Sequence, residues 1–408
     1  MVMASFVERV WQPERTHGLS RKDRLPGRYQ AYVPDELGTH LPTLSPEAQQ
    51  AAEEALVVLV RADERIGRRG ADLNHLLIRS ESISSSWIEG NRVSPKRLAI
   101  AELLNEGTRQ ALDVVATVHA TENAIADLAD PTRPITTEDL IDLQHIIEPR
   151  LPRGLRTEQN WVGGSGWSPL RADFIPPPET EVARLVEDLA HFITETEGNP
   201  AVRAAIAHAQ CETIHPFIDG NGRTGRAIIH TILRRADAVR NSPIPISTVF
   251  ASHTANYLAG LSSYREQPPA LDDWVIAFSG AVEAAARYAI ELAEDIELLD
   301  AEIFERLVAF RNHRGTRPAI PRSDAAVRRI LHTLASHPVV TVGSVSSRLA
   351  ISEQAAHRAL TELAELGVLR RTKNQRGRLI CWTADEYLEL VAFPQRNRDG
   401  ERSGNSPS

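Results

Sequence analysis

The sequence predicts a mainly α-helical protein: a helical core carrying one small β-hairpin, then a C-terminal unit of three short helices and a strand pair. Three observations predict it. Apolar residues recur at helical spacing through most of residues 46–312. Residues 149–178 break that pattern: NWVGG (160–164) and ADFI (172–175) read as short strand-like pieces around a Gly/Ser/Pro turn, stopped by Pro176-Pro177-Pro178. Beyond Gly315, Pro318 and Pro321, new short helical segments lead to VLRR (368–371) and RLICW (378–382), which flank TKNQRG.

Taken in order, residues 1–45 are polar, with Pro13, Pro26, Pro34 and Pro42 spread through them, and read as an extended N-terminal arm packed over the rest. A helix follows Ser45, with Pro46 suited to its first turn; its Ala/Glu-rich body (48–66) ends near Gly67. A second helix over 72–88 has Leu73, Leu76 and Leu77 at helical spacing and carries SISSSWIEGN (82–91). Three consecutive serines are poor helix formers, and Gly90 is a helix stop. Helices are expected at 94–105, 108–129 and 137–148, the last capped by Thr136 or Thr137 with acids in its first turn. They resume at 180–195, 200–214, 223–236, 253–265 and 271–312. After the linker, Val327, Ile330, Leu331 and Leu334 share one helix face, helices follow at 342–350 and 353–366, and Gly367 ends the second. Three helices and a hairpin match a winged helix, a helix-turn-helix variant. The tail, QRNRDGERSGNSPS, is expected to be disordered.

Composition narrows the function classes. The chain has 408 residues, 42% of them apolar and 25% charged, an ordinary globular balance. Its net charge of −8 excludes a general polyanion binder and confines any nucleic-acid contact to a local patch. Cys211 and Cys381 form no disulfide framework or cysteine-based metal site, which fits a reducing cytoplasm. No apolar run approaches the roughly 18 residues of a membrane span. Glu8 and Arg9 stand where a secretion signal would continue its apolar run. Lys22, Lys96 and Lys373 are the only lysines, and none follows a glycine, so a Walker-type phosphate loop is excluded. Phosphates would have to be held by arginines and backbone amides.

The segment His215-Pro216-Phe217-Ile218-Asp219-Gly220-Asn221-Gly222-Arg223-Thr224-Gly225-Arg226 concentrates the chemistry. Gly220 and Gly222 let the backbone turn tightly and approach a ligand closely. A helix starts at about Arg223, so free amides and the helix dipole form an anion site. Asn221 can orient the loop or donate to an oxygen. Arg223 and Arg226, three apart, share one face of the first helical turn. Two cations at the positive end of a dipole call for an anion, a motive for a polyphosphate ligand. Asp219 is a hard oxygen ligand suited to Mg²⁺. His215, at the end of the preceding helix, is the proton acceptor at neutral pH.

HPFIDGNGRTGR resembles the Fic-domain signature HPFx(D/E)GNGRxxR at every fixed position. The resemblance implies a mostly helical protein that transfers AMP from ATP to a side-chain hydroxyl of a target protein. It implies His215 as general base, Asp219 as the Mg²⁺ ligand, and Gly220, Asn221 and Gly222 as the cradle of the α- and β-phosphates. Arg223 and Arg226 would hold the phosphate tail, and Gly225 is counted with this nucleotide-binding set. Doc-type phosphorylating relatives depart from the pattern in its GNGR portion, and phosphocholine-transferring relatives lack parts of it; neither departure is present here. The hairpin at 160–175 stands where the family has its flap, which aligns the target by strand addition. Tyr257, in ANYLAGL, resembles a tyrosine of the adenine pocket; a half-buried helix tyrosine is the competing reading.

Ser85-Ser86-Trp87-Ile88-Glu89-Gly90 resembles the inhibitory motif (S/T)xxxE(G/N), placed as in the subgroup whose inhibitory helix precedes the catalytic motif. Ser85 and Glu89, four apart, are expected on one helix face. The resemblance implies that Glu89 pairs with Arg226 and so occupies the cation meant for the γ-phosphate.

The resulting division is an arm (1–45), a helical regulatory region with the inhibitory helix (46–130), a catalytic core (131–290), a helix and linker (291–322), a winged helix (323–391) and a tail (392–408). RRTKNQRGR (370–378) holds five basic residues and no acid, so a wing tip can touch DNA phosphates. The helix that would read bases carries Glu353, Glu362 and Glu365, which favours docking or dimerisation over DNA binding. The expected activity is a cytoplasmic, autoinhibited adenylyltransferase using ATP and Mg²⁺, acting on a target docked at 160–175 and on itself, with a homodimer as a further partner and no membrane. Two alternatives remain at this point. One is AMP removal at the same site, with Glu89 positioning water. The other is a DNA-binding regulator that senses nucleotide.

Overall fold

The computed structural model describes residues 4–13, 20, 22–67, 71–164, 166–373 and 380–391. Along the chain these form β1 (Ser5–Trp11), β2 (Gly27–Val33), α1 (Pro46–Gly67), α2 (Ala71–Ile88), α3 (Pro95–Leu104), α4 (Arg109–Ala126), α5 (Thr137–Ile147), α6 (Glu179–Glu195), α7 (Pro200–Ile214) and α8 (Asn221–Arg235). They continue with α9 (Ile246–Ser252), α10 (Thr254–Tyr264), α11 (Leu271–His313), α12 (Ala326–Leu331), β3 (Val339–Val340), α13 (Val342–Leu349), α14 (Glu353–Glu365), β4 (Arg370–Lys373), β5 (Ile380–Thr383) and α15 (Asp385–Leu390). The protein is mainly α, as expected. It divides into two compact units: residues 1–57, 119–238 and 253–282, and residues 58–118, 239–252 and 283–408.

The first unit is built on α7 against α8, with α5 on α8 and α6 on α7. Alanine recurs along α7, and every residue from Ala201 to Ile214 except Arg203 is buried. A helix buried on every face is a central helix, and here its polar residues, His208, Gln210, Glu212 and Thr213, are buried with the rest. Local chemistry sets the ends of these helices. Thr136 and Asp139 form the capping box of α5. Asn199 caps α7, and Pro200 takes its first position. Trp274, buried in the first turns of α11, donates from Nε1 to Ala205 O at 2.8 Å.

The arm corrects one expectation. Its ends are an antiparallel ladder, from Ser5 opposite Val33 to Trp11 opposite Gly27. The long proline-bearing connection between them hides the pairing from any short window. In β2, Tyr29, Ala31 and Val33 alternate with Arg28, Gln30 and Tyr32, a strand pattern that a proline-weighted reading overlooks. The expected hairpin at 160–175 is reduced to one antiparallel bridge, Val162 with Phe174. A 3-10 turn over Pro169–Arg171, capped by Ser168, lies in the connection ahead of the return limb. At Gly164, φ is +73°, and a Cβ would stand 2.6 Å from Arg171 O, so no other residue fits without movement. This flap is held by the arm: Tyr32 N donates to Ile175 O at 2.9 Å. Trp11 and Trp161 meet edge-on at 5.5 Å, and Tyr32 and Phe174 meet at a tilt at 5.8 Å.

In the second unit, hydroxyls of α2 have partners on neighbouring helices. Ser80 and Ser84 hydroxyls meet Thr248 Oγ1 on α9, and buried Glu81 accepts from Ser247 N at 2.8 Å. Small hydroxyl side chains let α2 and α9 approach closely, so tertiary bonds override a poor helical propensity. The C-terminal elements comprise α12, α13 and α14 with a three-stranded antiparallel sheet in the order β3-β5-β4. The expected strand pair is β4–β5; α9, α15 and the two-residue β3 were not expected. Ala99 of α3 shares a core with Val339, Cys381 and Leu388, and Lys96 bonds Asp385 at 3.1 Å. Residues 374–379, with Arg376 and Arg378 of the basic wing, and the tail from 392 lie outside the described residues.

Candidate active site

The segment 215–226 lies between two helices of the first unit. His215 closes α7 in the left-handed region, φ 49° and ψ 58°, with its N–H on Cys211 O at 2.9 Å. A non-glycine residue held there costs roughly 1–3 kcal/mol and persists only where its surroundings over-determine it. Gly220, φ 83°, is the N-cap of α8. Thr224 N is the first amide bonded within that helix, to Gly220 O at 2.9 Å. The amides of Asn221, Gly222 and Arg223 therefore have no intrahelical partner, and they sit at the positive end of the dipole.

The two roles open for Asn221 are now separated. Its side chain is buried, with Oδ1 accepting from Phe217 N at 2.8 Å and Nδ2 donating to Phe217 O at 2.9 Å. It therefore locks the turn, and only its backbone remains for a ligand. Gln144, on α5, adds a bond from Nε2 to Asp219 O at 3.0 Å. Asp219 is exposed, with 68% of its side-chain surface open; Oδ1 accepts from Gly220 N at 2.6 Å and lies 3.7 Å from Arg223 Nη2.

The two cations at the start of α8 are partly compensated within the protein. Arg223 already has an anion inside the protein: Nη2 donates to Glu148 Oε1 at 2.7 Å, with 7% and 10% of the two side chains exposed. Glu148 is the C-cap of α5. Nothing in the sequence marks it, because it acts from 75 residues away. Arg223 Nε has no partner among the described residues. Arg226, 1% exposed, is buried with the core of the unit. Burial first, and then the charges of Arg226 and Arg265, push His208 down to about 3, so that ring is neutral. Gly225 gives this ring its room, since a Cβ there would lie 3.0 Å from His208 Nδ1. Tyr257 is buried and stacked at 5.8 Å on His208, whose Nε2 meets the phenol oxygen at 2.9 Å.

Two further side chains that sequence reasoning missed grip the segment from the base of the flap. Arg156 Nε donates to His215 O at 2.9 Å, and Asn160 Nδ2 donates to both His215 O and Phe217 O at 3.2 Å. A cavity of about 490 Å³ in the same unit is lined by Tyr32, Phe192, Ile206, Gln210 and Tyr264, none of them in the motif.

Ser85 and Glu89 belong to the second unit. Ser85 is buried in α2, whereas Glu89 is exposed just beyond it. Gly90, φ 81°, donates to Trp87 O and Asn91 N donates to Ser86 O, both at 2.9 Å. This is a Schellman motif with Glu89 as the C-cap residue. The left-handed glycine ends the helix directly after Glu89, which stands one turn beyond Ser85.

Residues 134–233 match the Fic/DOC family model, and this stretch is a Fic domain. Over 109 residues the chain is 34% identical to the protein adenylyltransferases Fic of Drosophila grimshawi and Drosophila mojavensis. The aligned part is 25% of this chain and only 21% and 20% of those two proteins. Among solved structures, a Fic family protein from Desulfovibrio desulfuricans G20 aligns over 84% of this chain and 97% of its own, with 20% identity and a TM-score of 0.49. Fic-1 of C. elegans (residues 134–508) covers 61% and 74%, with 19% identity and a TM-score of 0.47. Among the described residues no helix is long and apolar enough to cross a membrane, and no cluster of three or more His, Cys, Asp or Glu is placed for a metal ion.

Proposed function

We propose that the Fic domain of this chain is a protein adenylyltransferase, moving AMP from ATP to a side-chain hydroxyl of a target and to itself. The observation that carries the reading is the backbone of His215–Arg223: a left-handed histidine, a side-chain-locked turn, and a helix N-terminus whose first three amides have no intrahelical partner, beside two arginines. That arrangement suits a polyphosphate at the amides and a proton acceptor beside it. The target hydroxyl oxygen attacks the α-phosphorus, its proton passes to His215, and the bond to pyrophosphate breaks. Arg223, through Nε, and Arg226 balance the departing charge. The rate gain comes from placement and electrostatics.

The donors present fit a magnesium ion only in part-coordination: Asp219 offers an exposed carboxylate whose Oδ2 has no hydrogen bond among the described residues. The remaining ligands would be phosphate oxygens and water, as Mg²⁺ prefers. Bound there, it would supply charge neutralisation at the phosphates. The flap at 160–175 aligns the target segment, and its antiparallel bridge and glycines support that role. The inhibitory-motif resemblance of Ser85–Gly90 supports a restraint by Glu89. We read the C-terminal helices and sheet as a winged helix used for docking to protein, a second copy included. Its α14 acids are engaged by α11, Arg311 with Glu362 at 2.6 Å and Arg314 with Glu365, which supports packing rather than base reading. A cytoplasmic site of action accords with the sparse, buried cysteines.

The test is His215→Ala with labelled ATP. Transfer should fall about 10²–10⁴-fold, the usual cost of a lost general base, while ATP still binds. Wild-type transfer by this variant would overturn the assignment.

A further inference from the structure

Arg156 is 3% exposed, yet its hydrogen bonds run to backbone oxygens. Nε donates to His215 O at 2.9 Å, Nη2 to Pro177 O at 2.5 Å and to Ile214 O at 3.3 Å, and Nη1 to Glu158 O at 2.9 Å. Its own N–H donates to Pro216 O at 2.9 Å. Burial pulls it down to about 10, which leaves it a cation at neutral pH. Its nearest acidic influence, Glu179, is bonded to Arg9.

A buried cation is costly unless something compensates it. Here the compensation is the carbonyl end of α7, the negative pole of its dipole. Arg265 adds a second cation there, bonded from Nη2 to Glu212 O at 3.0 Å and from Nε to Thr213 Oγ1 at 3.1 Å. Its guanidinium lies 3.9 Å from the ring centre of Phe174 on the flap. Two guanidinium groups thus cap the helix that ends in His215; Arg265 also lies on the flap, and Arg156 bonds the residues that flank it, Glu158 and Pro177. A neutral cap would satisfy the carbonyls; a planar fork can reach four of them from different segments at once.

We propose that Arg156, seconded by Asn160, is a positioning residue for His215: it holds the left-handed turn that aims the imidazole and ties the segments on either side of the flap, at Glu158 and Pro177, to that turn. A target laid on the flap is then registered against the proton acceptor by one side chain. This rests on the transferase reading of His215, so its test needs a readout apart from transfer.

Arg156→Lys keeps the charge but places its donors on one atom, so the carbonyls cannot all be spanned. Asn160→Asp keeps the shape and turns a donor to two carbonyls into a repelled acceptor. In both variants kcat for AMP transfer should fall about 10–100-fold, the scale of an ångström of misplacement, with the calorimetric ATP affinity within about twofold. In ¹³C-histidine spectra the ring signal of His215, assigned with His215→Gln, should move or broaden while that of His208 stays. Tryptic cleavage at Arg171 should quicken. An unmoved His215 signal with unchanged kcat overturns the proposal. So does a loss of kcat matched by equal loss of ATP affinity and of thermal midpoint, which would make Arg156 a general fold support. If the wild type transfers no AMP, the His215 signal decides alone: unmoved, the proposal fails; moved, it stands and the transferase reading falls.

Discussion

Removal of the Glu148 carboxylate should expose how far the anion site is already charge-compensated. In Glu148→Ala, Arg223 loses its 2.7 Å partner while staying 7% exposed, at the positive end of α8. Breaking a buried pair by deleting one partner costs about 3–5 kcal/mol. The lower end applies, because Asp219 Oδ1 stands 3.7 Å from the same Nη2 and can close in. At about 2–4 °C per kcal/mol for a domain of this size, the thermal midpoint should drop roughly 6–12 °C. Glu148→Gln keeps a neutral acceptor and should cost about 1–2 kcal/mol, the gap between charged and neutral hydrogen bonds. Added pyrophosphate should then narrow the deficit, because it supplies the anion that Glu148 no longer does and binds the variant more tightly. The assay is a thermal scan of wild type and both variants at low salt, with and without pyrophosphate. A Glu148→Ala midpoint within about a degree of wild type, or a deficit that widens with pyrophosphate, refutes the reasoning.

Glu89→Gly should raise AMP transfer and self-modification on the order of 30- to 150-fold, if the carboxylate's hold on a cation is worth about 2–3 kcal/mol. Equal labelled-AMP incorporation by wild type and variant would remove Glu89 from the regulation. Gly164→Ala should loosen the flap by about 1–2 kcal/mol from the left-handed backbone alone, read as faster amide exchange at Val162 and Phe174; unchanged exchange there contradicts the strain seen at 164. Acid should weaken the second unit in two stages. Burial, then the charges of Arg348, His75 and Arg79, hold His337 down at about 3, below its unfolded value of about 6.5. Although burial opposes it, bonds and charges from His75 and Arg79 hold Glu102 at about 2, below about 4.3. Both groups are depressed on folding, so their contributions are whole above the unfolded values and are lost as pH falls, His337 from about 6.5 and Glu102 from about 4.3. His337→Asn should abolish the first stage in a pH titration of near-ultraviolet dichroism, and an unaltered first stage would assign it elsewhere.

The sequence by itself determined what short-range physics controls. Helix periods, the Thr136 cap, the Gly90 stop and the Gly220–Gly222 turn all act within a few residues, so one window contains both cause and effect. The motif 215–226 was legible for the same reason. Where partners stand far apart in the chain, only the tertiary structure could decide. The β1–β2 ladder joins strands across a long proline-bearing connection, and Ser80 and Ser84 of α2 find their partner in Thr248, over 160 residues away. The charge balance of the anion site was misjudged because Glu148 reaches Arg223 from 75 residues upstream. Asn221 could have served a ligand or the loop until Phe217 was seen to take both of its side-chain bonds. Arg156 is the extreme case: an arginine in a polar loop looks like solvated surface until packing buries it against four carbonyls, because desolvation and helix-end charge are properties of the assembled fold and not of any residue alone.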